Sequence, residues 1–127
     1  MGVLIDTSLL VAIERGHVPP LVVTEESAIS VITVSELLHG VHRATGAHRI
    51  RRKASVDEVL DQFNVVDITE RVAHVHAEVW SELERNGTIV GDHDLWIGAT
   101  ALTHGFGVIT RNARDFERIP GLRVVTA

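Results

Sequence analysis

"VLIDTSLLVAIERG", residues 3 to 16, sets a short apolar run, one carboxylate and a helix-forming stretch end to end. "VLID" has the length and apolar character of a buried strand closed by Asp6, and "TSLLVAIERG" carries helix formers up to a natural stop at Gly16. A strand that passes straight into a helix is half of a crossover unit. Whether the unit recurs decides the fold.

It recurs. After the breaker "HVPP", the β-rich run "AISVI" (28 to 32) leads into "TVSELLHGVHRA", where Val34, Leu37, Leu38 and Val41 follow the i, i+3, i+4, i+7 spacing of a buried stripe. "GAHRIRRKASVDEVLDQF" (46 to 63) is a polar helical segment, and "NVVDI" (64 to 68) reads as a third strand. From Thr69 to Asn86 the positions Val72, Val75, His76, Val79, Trp80 and Leu83 mark an amphipathic helix closed by "NG". "HDLWIGATALTHG" is apolar nearly all round, as a central helix would be, with Gly105 where it should end, and "GVIT" and "LRVVT" supply two more strands. Strands that alternate with helices need crossover connections. The expectation is therefore an α/β fold with a small parallel sheet of four to five strands covered on both faces.

The 127 residues fit a single domain, 1 to 127, and a composition of 45% hydrophobic and 23% charged residues supports a folded globule. The chain has no cysteine, which rules out disulfides and thiolate metal sites. No basic region precedes an apolar core at the N-terminus, and no apolar run approaches the roughly 20 residues that span a bilayer, so a soluble cytoplasmic protein without membrane contact is expected. Net charge is −5, from 17 acids against 12 bases, which gives no general attraction to nucleic acid. Any such contact must be local.

In open parallel sheets, ligands sit beyond the carboxyl ends of the strands. Four acids fall there: Asp6 after the first strand, Glu36 after the second, Asp94 at the mouth of the central helix, and Asp115 a few residues past "GVIT". Carboxylates gathered in one crevice repel and raise one another's pKa unless cations neutralise them. Hard oxygen ligands without Cys or a compact His set favour Mg²⁺, with Mn²⁺ as substitute, and such ions beside acids commonly serve phosphoryl chemistry. Each acid also has a plainer reading: Asp6 as an N-cap, Thr33 and Glu36 as a capping box in "TVSE", Asp92 or Asp94 as a cap for the central helix, and Asp115 as a loop acid.

The ordered set "LIDTSLLVAI", "ISVITVSELLHGV", "GDHDLWIGATALTHG" and "GVITRNARDFERIPGLRV" covers nearly the whole chain and resembles the PIN-domain ribonucleases, most closely the VapC toxins of bacterial VapBC toxin–antitoxin pairs. The resemblance implies a PIN-like three-layer α/β/α fold and a metal-dependent endoribonuclease that cuts cellular RNA, is neutralised by a small cognate antitoxin and forms a homodimer. It carries over Asp6, Glu36 and Asp94 as catalytic, metal-holding acids, with Asp115 as the fourth and Asn112 as its neutral neighbour, around one or two Mg²⁺ ions whose bound water attacks phosphorus in line. Asp92 lies outside the pattern and reads as a cap. Thr7, Ser8 and Thr110 could position acids or phosphate, and Arg111, Asn112 and Arg114 could meet the RNA. Gly98 stands where the family often has Ala, which should loosen the helix slightly.

The remaining groups point less sharply. "HRIRRK" (48 to 53) is the densest basic run and could carry an RNA backbone or simply be a solvated helix face. His74 and His76 lie on different sides of one helix, and His39 and His42 have no third partner nearby, which argues against zinc. Trp80 and Trp96 sit in apolar helical stretches and read as core, and 4% aromatic residues make no stacking platform. A receiver domain would need an acidic pair after the first strand and a late Lys, where this chain has "IDTS" and only Lys53. A haloacid-dehalogenase-type phosphatase would need D-x-D there. A PIN-like RNA-binding or regulatory protein without independent catalysis is the remaining alternative.

Overall fold

In the computed structural model, which describes residues 2–20 and 25–127, each apolar run pairs with its neighbours side by side. The strands are β1 (Gly2–Ile5), β2 (Glu26–Ser30), β3 (Asn64–Val66), β4 (Gly107–Thr110) and β5 (Val124–Thr126), in the order β3-β2-β1-β4-β5. Every pairing is parallel. The connections are α1 (Thr7–Glu14), α2 (Val31–Arg43), α3 (Gly46–Gln62), α4 (Glu70–Arg85), α5 (Asp92–His104) and the short α6 (Ala113–Phe116).

Register and the two-residue strand period assign the layers. Leu4 lies opposite Ala28 and Val108, and this row packs with Val79, Leu83, Leu95, Ile97 and Phe116 from α4, α5 and α6. The next row, Ile5, Ile29 and Ile109, packs with Leu9 and Leu10 of α1, Val34 and Leu37 of α2, and Val59 of α3. The result is the expected three-layer α/β/α arrangement. The chain builds outward from β1 on one side through β2 and β3, then returns to build β4 and β5 on the other. Strand order thus reverses beside β1, and a crevice opens there at the carboxyl ends. Among the described residues, no helix is long and apolar enough to cross a membrane.

Several local expectations are corrected. β2 covers 26–30 rather than 28–32, and α2 begins at Val31, because Ser30 Oγ accepts from the Ile32 N–H at 3.0 Å and starts the helix early. The expected Thr33–Glu36 capping box therefore does not form: Thr33 is fully buried inside the first turn. α4 is capped by Thr69, whose Oγ1 accepts from the Val72 N–H. Its buried stripe is Val72, His76, Val79 and Leu83, and Trp80, one residue round from Val79, stands 53% exposed rather than in the core. Gly98 does more than loosen a helix, since a Cβ there would collide with Ile119 Cδ1. The glycine lets the loop after α6 seat Ile119 directly on α5. Gly105 ends α5 in the left-handed conformation at φ 67°, as its position implied.

The "RNARDFERIP" segment holds α6, which carries Asp115, and Phe116 anchors it with no exposed surface. Phe116→Ala should cost about 3–5 kcal/mol in urea unfolding with little change in m. Since Asp115 rides on the same turn, that variant should also weaken whatever binds in the crevice.

Candidate active site

Asp6 follows β1 directly. Its backbone occupies the N-cap position of α1, yet the side chain makes no cap hydrogen bond. It is only 3% exposed, and Oδ2 accepts from Ser8 Oγ at 2.6 Å and from Thr110 Oγ1 at 2.8 Å. Thr110 ends β4, so the reversal of strand order is what brings residues 104 positions apart into contact. The backbone reinforces it, with the Asp6 N–H donating to the Ile109 carbonyl and the Asn112 N–H to Thr110 Oγ1. A buried carboxylate held by hydroxyls is positioned for more than capping.

Glu36 enters from α2. The early helix start places it in the second turn of α2, on the side facing α1, where Thr7 Oγ1 lies 2.8 Å from its Oε1 and 3.0 Å from Thr33 Oγ1. Opposite the Val34, Leu37, Leu38 and Val41 stripe, where a glutamate would be expected to face solvent, Glu36 is instead held in the crevice. Its Oε2 lies 3.3 Å from His93 Nδ1, on the first turn of α5, which ties α2 to α5 across the crevice.

Asp94 opens α5, where acids in the first turn are favoured by the helix dipole. Gly91 is the N-cap and no side chain caps the helix, so Asp92 is an exposed first-turn acid and not the cap expected of it. Asn112 Nδ2 donates to Asp94 Oδ2 at 3.4 Å and to Asp115 Oδ2 at 3.1 Å, a neutral clip between two acids. Arg118 lies 3.9 Å from Asp115 and donates to the Ile89 carbonyl. The pKa of Asp94 is raised to about 6, first by burial, then by the charges of Asp6, Asp115 and Glu36, with His93 opposing. All four expected acids thus share one electrostatic field.

The crevice, about 420 Å³, is lined by Asp6, Thr7, Ser8, Glu36, Asp94 and Asn112, with Arg15, His17 and Arg111 also on its wall. Asp115 stands behind Asn112, and Arg114 is exposed on α6 away from the lining. Sequence reading missed Arg15, His17 and His93. The signals were present: Arg15 follows Ser8 and Val11 on one α1 face, and His93 directly precedes Asp94. Among the described residues, no three His or carboxylate side chains stand close enough to grip a metal ion as they are. The donors are nonetheless all hard oxygens around a cleft where negative charge is in excess, which is the chemistry that suits a divalent cation.

Behind this wall His76, 8% exposed, stacks on Trp96 with ring centroids 3.5 Å apart and planes 13° from parallel. Burial lowers its pKa, with Asp92 opposing. An uncharged imidazole can lie flat against the indole and lock α4 to the turn that carries Asp94.

The chain belongs to the PIN domain family, which matches residues 3–122. Within that family it is similar to Ribonuclease VapC1 of Rickettsia felis, at 36% identity over 99% of this chain and 96% of the relative. It is also similar to the tRNA(fMet)-specific endonuclease VapC of Salmonella typhimurium, at 36% identity over 80% of this chain and 75% of the relative. Among solved structures, VapBC2 from Rickettsia felis bound to a promoter DNA fragment matches with a TM-score of 0.90 at 25% identity, covering 100% of this chain and 99% of the other. DNA-bound VapBC from Salmonella typhimurium matches with a TM-score of 0.88 at 29% identity, covering 99% and 98%.

The raised pKa of Asp94 has a stability consequence. Its folded value, about 6, exceeds the ordinary 3.8 of an aspartate, so the protonated form favours the fold and that contribution is lost as pH rises from about 4 through 6. In metal-free buffer, Asp94→Asn should therefore stabilise the protein at pH 7 by on the order of 1 kcal/mol after solvent screening, or a few degrees in Tm. The gap should close by pH 4 in thermal melts.

Proposed function

We propose that this protein is a metal-dependent endoribonuclease, the toxin of a type II toxin–antitoxin pair, that hydrolyses phosphodiester bonds in cellular RNA. The observation that carries the reading is the crevice at the reversal of strand order, where Asp6, Glu36, Asp94 and Asp115 act on one another through space and each of the four has a neutral side chain within hydrogen-bonding reach. The relatives named as VapC ribonucleases, and the VapBC complexes of the same fold, support both the activity and a small antitoxin as partner.

In this reading Asp6, Glu36, Asp94 and Asp115 would hold Mg²⁺, with Mn²⁺ able to substitute. When bound, the ion neutralises phosphate oxygens and makes a coordinated water acidic enough to serve as nucleophile. The chain's own groups prepare this. Ser8 and Thr110 both engage Oδ2 of Asp6 and fix the plane of the carboxylate, while Thr7 fixes Glu36 through Oε1. Asn112 keeps Asp94 and Asp115 in one orientation without adding charge. Arg15 and Arg111 set positive charge on the wall of an acidic cleft and draw the phosphodiester in. Arg114, off the lining, would reach only RNA beyond the scissile bond.

The chain acts as a single domain in the cytoplasm, and a homodimer is its working form. Trp80 at 53% and Ile89 at 80% exposure give a second copy apolar surface to cover.

RNA should be cut with Mg²⁺, spared with EDTA and spared by Asp94→Asn. Ser8→Ala and Thr110→Val should each lower metal affinity or rate about 10- to 100-fold while the fold persists by circular dichroism. Equal cleavage under all three conditions would defeat the nuclease reading. Tight RNA binding by the wild type without cleavage would favour a regulatory PIN domain instead.

A further inference from the structure

Residues 37 to 56 contain no Asp or Glu, yet they hold five of the chain's twelve Lys and Arg and three of its eight His. In a protein of net charge −5, this leaves the rest of the molecule strongly acidic and one corner strongly basic. The fold makes the corner compact: the segment is the end of α2, the tight turn through Gly46, and the start of α3 packed back against α2. Arg49 donates to the Val41 and His42 carbonyls and Arg52 to the Gly40 carbonyl, so both guanidiniums are fixed against the end of α2. Arg51 leans on His48. Of the corner's five Lys and Arg, only Lys53 has an acidic partner among the described residues, Asp57. Carbonyls orient a guanidinium without cancelling its charge, so Arg49 and Arg52 present full positive charge at fixed places, with Arg43 and Arg51 exposed beside them.

The corner also connects to the crevice. Arg15 and Glu36 line the catalytic cleft and also a neighbouring depression that continues past Glu14 and Gly40 to Arg52. We propose that the α2–α3 corner is a second contact for the RNA, gripping its phosphate backbone away from the cleavage point while Arg15 bridges the two. The inference rests on the ribonuclease reading. A phosphate chain is the ligand that fits best: forked guanidiniums match phosphate oxygens, four of them cluster at one corner, and the surface leads to acids whose substrate carries the same backbone. Overall acidity then confines RNA to this one path.

The test uses Arg43→Ala combined with Arg51→Ala, since neither side chain braces the end of α2. Both are placed in an Asp94→Asn background so that bound RNA stays intact, with fluorescent bulk tRNA as probe. The double substitution should weaken binding about tenfold and reduce the slope of log affinity against log salt by about 1.5, the value for two lost phosphate contacts. The same change in charge at Arg71→Ala with Arg85→Ala, exposed on α4, should leave the slope unchanged. With Asp94 restored, KM for tRNA should rise while kcat holds. An unchanged slope in the α2–α3 variant, or an equal loss in the α4 variant, overturns the proposal. So does unaltered RNA binding with lost binding of poly-glutamate, which would assign the corner to an acidic protein partner. Absence of any Mg²⁺-dependent cleavage by the wild type would instead count against the ribonuclease reading, whatever the slopes show.

Discussion

A carboxylate almost wholly removed from water, at the point where a parallel sheet reverses its order of growth, is the constraint around which the molecule is arranged. Asp6 can be buried because Ser8 and Thr110 replace the lost water on one of its oxygens. Thr110 can reach it only because β4 lies directly beside β1. Leu4 and Ile5, facing opposite layers, hold β1 in place from both sides. Sheet topology, core packing and the chemistry of one side chain are therefore a single problem with a single solution.

The other acids are handled by the same economy of neutral partners. Glu36 has a hydroxyl and an imidazole, and Asp94 and Asp115 share the amide of Asn112. Apart from Arg118 at 3.9 Å from Asp115, no guanidinium or ammonium pairs with them among the described residues. Amides and hydroxyls orient carboxylates without quenching their charge, so the repulsion that adds to burial in lifting Asp94 is retained in the folded state. A fully compensated cleft would be more stable and would have no use for a cation.

Much of this was legible in the chain. Alternating strands and helices gave the α/β class, and the acids at strand ends stood out because parallel sheets bring those ends together. What stayed hidden depended on one-residue differences that local pattern cannot resolve. "TVSE" satisfies the spacing of a capping box, but Ser30 offers an earlier start, and only packing against α1 shows that the helix takes it. Trp80 fits a broad apolar stripe, while the real one is narrower and leaves it outside. The four-residue α6 is too short to show a period at all. The hydroxyl contacts to Asp6 and Glu36 join residues too distant in sequence for spacing to reveal.

The two indoles end up in very different surroundings. Trp80 faces solvent, while Trp96 lies beneath an imidazole on the helix that begins with Asp94. The protein thus carries its own pair of optical labels, one emitting as a hydrated fluorophore and one subject to contact quenching. A shift of the start of α5 against α4 changes the contact between Trp96 and His76 and is written into the second signal.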